Sequence, residues 1–432
     1  MSLRIAIVTA GGAGMFCGSC MHDNTWARAL REAGDDVWLI PTYTPLTLDE
    51  ADQSERTIFL GGINVYLEHR SRLWRRLPRG LTRWLDAPAV IRAATSFGVS
   101  NDASQLGDLT LEMLRGAHGP QKREIDLLVD HLVGDCRPDA ILFSNMLLSG
   151  IAEPLRGAFD GPIWGVLQGD DIFLNALLPD YRQQAIDQIT SNSQAFTGLI
   201  THSDFYADTM SNMLSIPRDR FRRAPLGISF AGHDGTPGEN ENDAFTIGYF
   251  ARLCPEKGLH ELIRAFRILH EHHPAARLVI GGYLGKRDVA YWRRIERENR
   301  DIAEAFHYAG SPATLAEKIS LIRRFDLLSV PTTYEEPKGL YVLEALANGV
   351  PVVQPAHGAF PEMIAATGGG LLFPPGDAES HAAALTRLMD RDHRMALAHK
   401  GYAAVREHYS EDALVKATRE ILSDGSEAPG SA

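Results

Sequence analysis

Leu3-Arg4-Ile5-Ala6-Ile7-Val8-Thr9, followed at once by Gly11-Gly12-Ala13-Gly14, is the stretch on which the fold turns. A β-branched apolar run of this length, without a helical period, reads as a strand buried on both faces. The glycines supply a tight turn. Asp23 and Asn24 are N-cap types ahead of Thr25-Trp26-Ala27-Arg28-Ala29-Leu30-Arg31-Glu32-Ala33, and Gly34 is a good helix stop. A second strand is expected at 37–40. Strand, glycine loop, helix and strand make a βαβ opening, the start of a doubly wound parallel sheet.

Outward from that opening the pattern repeats. Strand-like runs fall at 63–67, 140–143, 162–167 and 198–201, and a second series lies at 245–250, 277–280, 306–308, 327–330, 350–353 and 370–373. Amphipathic segments separate them; in 259–269, Leu259, Leu262, Ile263, Phe266 and Leu269 share one stripe. Between the two series, 233–243 has glycines, a proline, four acids and two asparagines, a loop composition. The expected architecture is therefore α/β, with two doubly wound Rossmann-like domains facing a cleft. The first spans 1–232, the linker 233–243 and the second domain 244–407. A last helix, 408–425, carries the stripe Ala413, Leu414, Ala417, Ile421 and Leu422, with Ser410 as its cap. Open α/β sheets bind ligands at the carboxyl ends of their strands, so the cleft is the expected site.

The composition fits that architecture. The 432 residues are 44% hydrophobic and 23% charged, enough for two cores, and the net charge of -12 argues against non-specific nucleic-acid binding. Four cysteines do not describe a disulfide scaffold, and a reducing, cytoplasmic setting is expected. There is no signal-peptide pattern at the start and no apolar run long enough to span a bilayer.

The chemistry concentrates in Tyr334-Glu335-Glu336-Pro337-Lys338-Gly339-Leu340-Tyr341-Val342-Leu343-Glu344-Ala345-Leu346-Ala347-Asn348-Gly349-Val350-Pro351. Glu336 lies in the loop after a strand and Glu344 on the helix that follows. The backbone N–H groups around Lys338, Gly339, Leu340 and Tyr341 stand at that helix's N-terminus, where unpaired donors and the helix dipole favour an anion. A carboxylate on each side accepts hydrogen bonds from hydroxyls: a sugar on one side, a ribose on the other and a diphosphate between. Upstream, Tyr249-Phe250-Ala251-Arg252-Leu253-Cys254-Pro255-Glu256-Lys257-Gly258 places Arg252, a fork for phosphate oxygens, and Lys257, a point charge, between a strand and a helix.

These segments, with Gly349-Val350-Pro351-Val352-Val353 and Gly358-Ala359-Phe360-Pro361-Glu362, resemble the retaining GT-B glycosyltransferases of the group 1 type, marked by Glu-x7-Glu. The resemblance covers most of the chain and is strongest from about 245 to 375. It implies that Glu336 stands beside the transferred sugar, that Glu344 binds the ribose, and that Arg252 and Lys257 grip the diphosphate as it leaves. Gly12 and Gly14 of the first loop would then face the donor phosphates and the acceptor, and the last helix would cross back onto the first domain. By the same resemblance the donor would be a nucleotide diphosphate sugar, UDP-linked first and GDP- or ADP-linked as alternatives. The expected acceptor is a small molecule or glycan, and neither cofactor nor metal is expected.

Two departures from the pattern matter. Lys338 stands where an aromatic residue is usual; it meets phosphate or an anionic acceptor, or it points to solvent. Many members carry a first-domain histidine near the reacting sugar, and here the similar stretch reads Gly165-Val166-Leu167-Gln168-Gly169-Asp170-Asp171. Gln168 cannot transfer a proton. Asp170 or Asp171 either orients the acceptor or caps a helix. Cys17-Gly18-Ser19-Cys20 with His22 reads as small residues packing a tight loop, against a metal or redox pair. The segment 70–85, with six arginines and two tryptophans, lines an acceptor site or touches an anionic membrane surface weakly. Rival readings of the whole are a GT-B phosphorylase, a nucleotide-sugar epimerase and a non-catalytic sugar or nucleotide binder.

Overall fold

The computed structural model describes residues 2–11, 17–61, 67, 90, 106–238 and 244–424. The chain divides into two compact units: Met1–Gly227 together with Leu414–Ala432, and Ile228–Ala413.

In the first unit six parallel strands form one sheet in the order β2-β1-β3-β4-β5-β6: β1 Arg4–Thr9, β2 Asp36–Pro41, β3 Ala140–Phe143, β4 Ile163–Val166, β5 Gly198–Thr201 and β6 Phe221–Arg223. Register is fixed by pairs such as Ile7 with Leu39 and Ile7 with Leu142. Both faces are buried, as the unbroken apolar run of β1 requires. Ala6, Val8, Ile141 and Phe143 join one core; Ile5, Ile7, Ala140 and Leu142 join the other. Alternate side chains of a strand point to opposite faces, so each strand feeds two cores.

The final helix, Glu411–Asp424, belongs to the second of those cores. Leu414 is fully buried there with Val415, Ile421 and Leu422, and the Trp26 indole N–H donates to Thr418 Oγ1 at 2.9 Å. The crossing of this helix onto the N-terminal unit is thus seen, with Thr418 as a buried polar member of the stripe.

In the second unit the order is β12-β11-β10-β7-β8-β9, again parallel: β7 Thr246–Phe250, β8 Arg277–Gly281, β9 Phe306–Tyr308, β10 Leu327–Leu328, β11 Val352–Pro355 and β12 Gly370–Phe373. Ile247, Leu262, Phe266, Leu328 and Val352 anchor its core.

Several expectations need correction. Asp23 and Asn24 do not cap a helix; the helix begins earlier, at Gly18, with Cys17 at its N-cap. Both side chains bond tertiary partners instead, Asp23 to Thr9 and Gln168, Asn24 to Ala51 and Gln53. The first unit ends at Gly227 rather than at 232, and the described part of the linker, 233–238, belongs to the second unit. Ile228 N–H bonds Tyr409 O, and Arg406 donates to His233 O, which explains the earlier division. Residues 408–413 likewise stay with the second unit. Val350 lies outside the strand and just past the Asn348 helix cap: Val350 N–H reaches Ala345 O and Gly349 N–H reaches Leu346 O, the paired bonds that close a helix through a left-handed glycine. β6 was not anticipated, because its sequence is Phe-Arg-Arg and two of its three residues are exposed. The expected strand at 63–67, apart from residue 67, and the segment 70–85 lie outside the described residues.

Candidate functional site

The order of the second sheet reverses between β7 and β10, and that switch point is where an open α/β sheet leaves a crevice at its carboxyl edge. The residues leaving β7 run to Arg252 and Lys257; those leaving β10 run to Tyr334 and Glu336. Two glycines let these loops meet. Gly258, at φ +70°, sits where a Cβ would collide with Pro331 O, and Gly358, at φ +62°, lies against the backbone of Glu336. Ala359 N–H also donates to Glu336 O at 2.8 Å.

The side chains converge on one carboxylate oxygen. Glu336 Oε2 receives Lys257 Nζ at 2.5 Å, Tyr334 OH at 2.7 Å and Tyr341 OH at 3.2 Å. Lys257 also touches Tyr334 OH at 2.6 Å and lies 5.0 Å from the Tyr334 ring centre and 5.4 Å from that of Tyr341. Burial alone would raise the Glu336 carboxyl. The charge and hydrogen bond of Lys257, the Tyr334 hydroxyl and the charge of Lys338 outweigh it and hold the carboxyl below its ordinary range. Burial first, then the Glu336 charge, pushes the Tyr334 and Tyr341 hydroxyls well up. At neutral pH both tyrosines are donors and Glu336 is an anion.

Lys338 is buried, so the solvent-pointing alternative does not hold. Gly339, at φ +70°, is the N-cap of the helix Leu340–Ala347 and supplies no side-chain cap. Leu340 and Tyr341 open that helix. Arg252 leaves β7 half-buried, with its Nε 3.3 Å from Cys254 Sγ. Thr332, Thr333, Glu335 and His357 help line a cavity of about 470 Å³ on the flank of the same loop.

Glu344 has a partner that the sequence reading missed. Lys318 Nζ lies 2.7 Å from Glu344 Oε1, and the two side chains are 6% and 12% exposed. Lys318 is on the helix Leu315–Ile322, the segment between β9 and β10. The signal was present: positions 315, 318, 319 and 322 form a helical stripe, and a lysine stands among its apolar residues. Tyr334 was also missed as a ligand of Glu336.

The first-unit candidates sit at that unit's own switch point, between β1 and β3. Gln168 follows β4, and its amide nitrogen donates to Asp23 Oδ1 at 2.8 Å and to Ser144 O at 3.0 Å. Thr9 Oγ1 donates to the other oxygen of Asp23 at 2.7 Å. Asp170 accepts from Met146 N at 2.8 Å and Gln168 N at 3.0 Å; burial drives its carboxyl up to about 6 against those two bonds. Asp171 accepts from Tyr206 OH at 2.6 Å. Asp170 and Asp171 therefore brace loops within the unit; Gly169, not an aspartate, is the N-cap of Asp170–Ala176. Asp23 was hidden because it reads as a cap, yet Cys20, Asp23, Ala27 and Leu30 share a buried helix face. Gly12 and Gly14 lie outside the described residues. Cys17, at the helix N-cap, and Cys20 are not joined in a disulfide.

Two Rossmann-like α/β units, each with polar side chains gathered at the switch point of its sheet, define the fold class as that of the GT-B proteins. The same fold is seen in the Anabaena protein HepE in complex with UDP, at a TM-score of 0.67 and 18% identity over 98% of this chain and 100% of that one. Sucrose-phosphate synthase from Thermosynechococcus elongatus gives a TM-score of 0.67 at 15% identity over 98% of both chains. Residues 236–404, which make up the second unit apart from its first and last residues, match the family model of Glycosyl transferases group 1. Among curated relatives, D-inositol 3-phosphate glycosyltransferase of Stackebrandtia nassauensis is 30% identical over 228 residues, 49% of this chain and 50% of that protein. The putative colanic acid biosynthesis glycosyltransferase WcaL of Escherichia coli K12 is 28% identical over 247 residues, 55% and 57% of the two. The chain thus spans about half the length of these relatives. Among the described residues no helix is long and apolar enough to cross a membrane.

Proposed function

We propose that this protein is a retaining glycosyltransferase that moves a sugar from a nucleotide diphosphate sugar to a small-molecule or glycan acceptor. The observation that carries the reading is the Lys257–Tyr334–Glu336–Tyr341 network at a helix N-terminus on the switch point, within the segment that matches group 1 glycosyltransferases. An anionic carboxylate held by a cation beside a helix N-terminus suits a ligand with hydroxyls at one end and phosphate at the other. UDP is the first choice of nucleotide, because structures of HepE with UDP and with UDP-glucose share the fold.

In this reading Glu336 accepts hydrogen bonds from the hydroxyls of the transferred sugar. Arg252 and Lys257 stabilise the charge that grows on the diphosphate as the bond from anomeric carbon to phosphate oxygen breaks. The acceptor oxygen forms the new bond on the same face, and its proton passes to the departing phosphate oxygen. Residues 338–341 offer backbone N–H groups to the diphosphate, Lys338 adds a charge, and Glu344 takes the ribose hydroxyls in an orientation set by Lys318. No metal is required by this scheme, since two cations and a helix terminus share the load. Gln168 has its amide nitrogen pinned by Asp23 and Ser144 within the first unit and is no proton carrier in this scheme.

A thermal-shift panel of UDP-, GDP- and ADP-sugars tests the donor, since a ligand bound by the folded state alone raises the melting temperature. Release of the nucleoside diphosphate on adding an acceptor, with an anomeric configuration that NMR finds unchanged, tests the reaction. Inversion of the anomeric centre would overturn the retaining assignment, and an epimerised donor with no diphosphate released would favour the epimerase reading.

A further inference from the structure

Away from the donor loop, in the first unit, three side chains of metal-binding type point at one another. His131 opens a π-helical turn, His131–Cys136, that ends the helix Lys122–Asp130. Arg137 N–H bonds Leu132 O across five residues at 2.9 Å, and Arg137 then stops the turn in a left-handed conformation at φ +47°. The wider turn swings Cys136 back beside His131; in a regular α-helix five residues would leave it roughly 140° round the axis. Glu55 arrives from the loop after β2, held by its N–H on Leu39 O at 2.8 Å.

His131 Nε2 lies 3.2 Å from Glu55 Oε2 and 3.4 Å from Cys136 Sγ. All three ligand atoms fall within 4.8 Å of one another. Tetrahedral zinc with one nitrogen, one oxygen and one sulfur at usual bond lengths has ligand–ligand edges of roughly 3.3–3.6 Å. The other ring nitrogen, Nδ1, lies 2.9 Å from Asp135 Oδ2, the carboxylate contact that orients a metal-ligating imidazole. Phe59 stacks on the ring at 4.9 Å and fixes its plane. A carboxylate oxygen and a sulfur thus both face Nε2; without a cation, burial and the charges of Glu55 and Asp135 push the Cys136 thiol up to about 12, and a bound cation would release that proton. Arg31 hydrogen-bonds Val37 O and Gln53, and its charge also acts on Glu55.

We propose that Glu55, His131 and Cys136 bind one borderline divalent cation of the zinc class, with Asp135 holding the imidazole and water in the fourth position. The partly exposed Glu55 and His131, 25% and 20% open at their side chains, leave a path for that water, while Cys136 is buried. The cation joins the loop after β2 to the end of the helix before β3, a tie unrelated to the transferred sugar.

The test uses the full chain, stripped of metal and titrated with cobalt(II) and with zinc against a chromophoric chelator. One equivalent per chain is expected, with a sulfur-to-cobalt charge-transfer band and a zinc-dependent rise in melting temperature. Cys136→Ser removes the band; Glu55→Gln, on the loop and harmless to the helix, and Asp135→Asn each weaken zinc by about 10–100-fold. Cys17→Ser with Cys20→Ser leaves the band unchanged. A band that survives Cys136→Ser but vanishes with the Cys17 and Cys20 substitutions would overturn the assignment, as would stoichiometric binding without any charge-transfer band, or no binding at all.

Discussion

Replacing Lys257 by methionine removes the charge that faces Glu336 and keeps most of the stem. The Lys257 and Glu336 side chains are 18% and 6% exposed, so the pair is buried and Glu336 is left as an anion in a dry site. Removing one partner of such a pair costs about 3–5 kcal/mol. The lower end applies, because Tyr334 and Tyr341 still donate to Glu336 and Lys338 still adds its charge. For a unit of this size about 3 kcal/mol lowers Tm by roughly 6–12 °C. The sign with pH follows from the depressed Glu336 pKa. In the wild type the pair stabilises above the unfolded carboxyl value of about 4.3 and loses that stabilisation as pH falls through the lower folded value. In Lys257→Met burial dominates and the folded pKa rises, so the loss relative to wild type is greatest near neutral pH and shrinks on acidification, once Glu336 is protonated in both proteins. Adding Glu336→Gln to Lys257→Met removes the stranded charge and restores most of the loss. Calorimetry across pH 4–8 on the wild type, both single variants and the double variant measures the coupling directly. Additive single losses, or a Lys257→Met deficit independent of pH, would refute the reasoning.

In the turnover assay with the donor found by thermal shift, Lys257→Ala is expected to lower kcat by about 10²–10³-fold at saturating donor, as for loss of one group aimed at developing charge; an unchanged kcat would remove Lys257 from the leaving-group role. Glu344→Ala and Lys318→Met are expected to raise the donor KM and leave kcat nearly intact, because ribose contacts are alike in ground and transition states; a fall in kcat with KM unchanged would contradict that division. Leu414→Ala should cost about 3 kcal/mol and Thr418→Val about 1 kcal/mol, read from urea unfolding, since the first opens a cavity in a closed core and the second orphans the Trp26 N–H; losses below 0.5 kcal/mol on the order-of-magnitude scale of surface changes would show that the helix is not part of that core. Asp170, raised to about 6 by burial, stabilises the first unit fully below its unfolded value near 4 and loses that contribution as pH rises to about 6. Asp170→Asn should flatten the urea midpoint of that unit between pH 4 and 7, and an unaltered slope would count against the shift.

The sequence alone determined the two-sheet architecture, because a strand buried on both faces must be apolar throughout and a helix on a sheet must carry one apolar stripe. Those periods are local and survive without knowledge of any partner. It also determined the loop between β10 and the next helix together with that helix's first turns, where Glu336, Gly339 and Glu344 are fixed by chain spacing. What the tertiary structure decided is which distant groups meet those residues. Lys318 faces Glu344, Tyr334 and Lys257 share one oxygen of Glu336, and Asp23 leaves its expected cap position to hold Gln168. A polar residue inside an apolar stripe says that it has a buried partner, but the partner comes from another element, and only the packing of helices onto the sheet selects it. The π turn that carries Cys136 to His131 is of the same kind: no propensity scale separates it from one more turn of α-helix, and it forms where the chain must end the helix and enter β3.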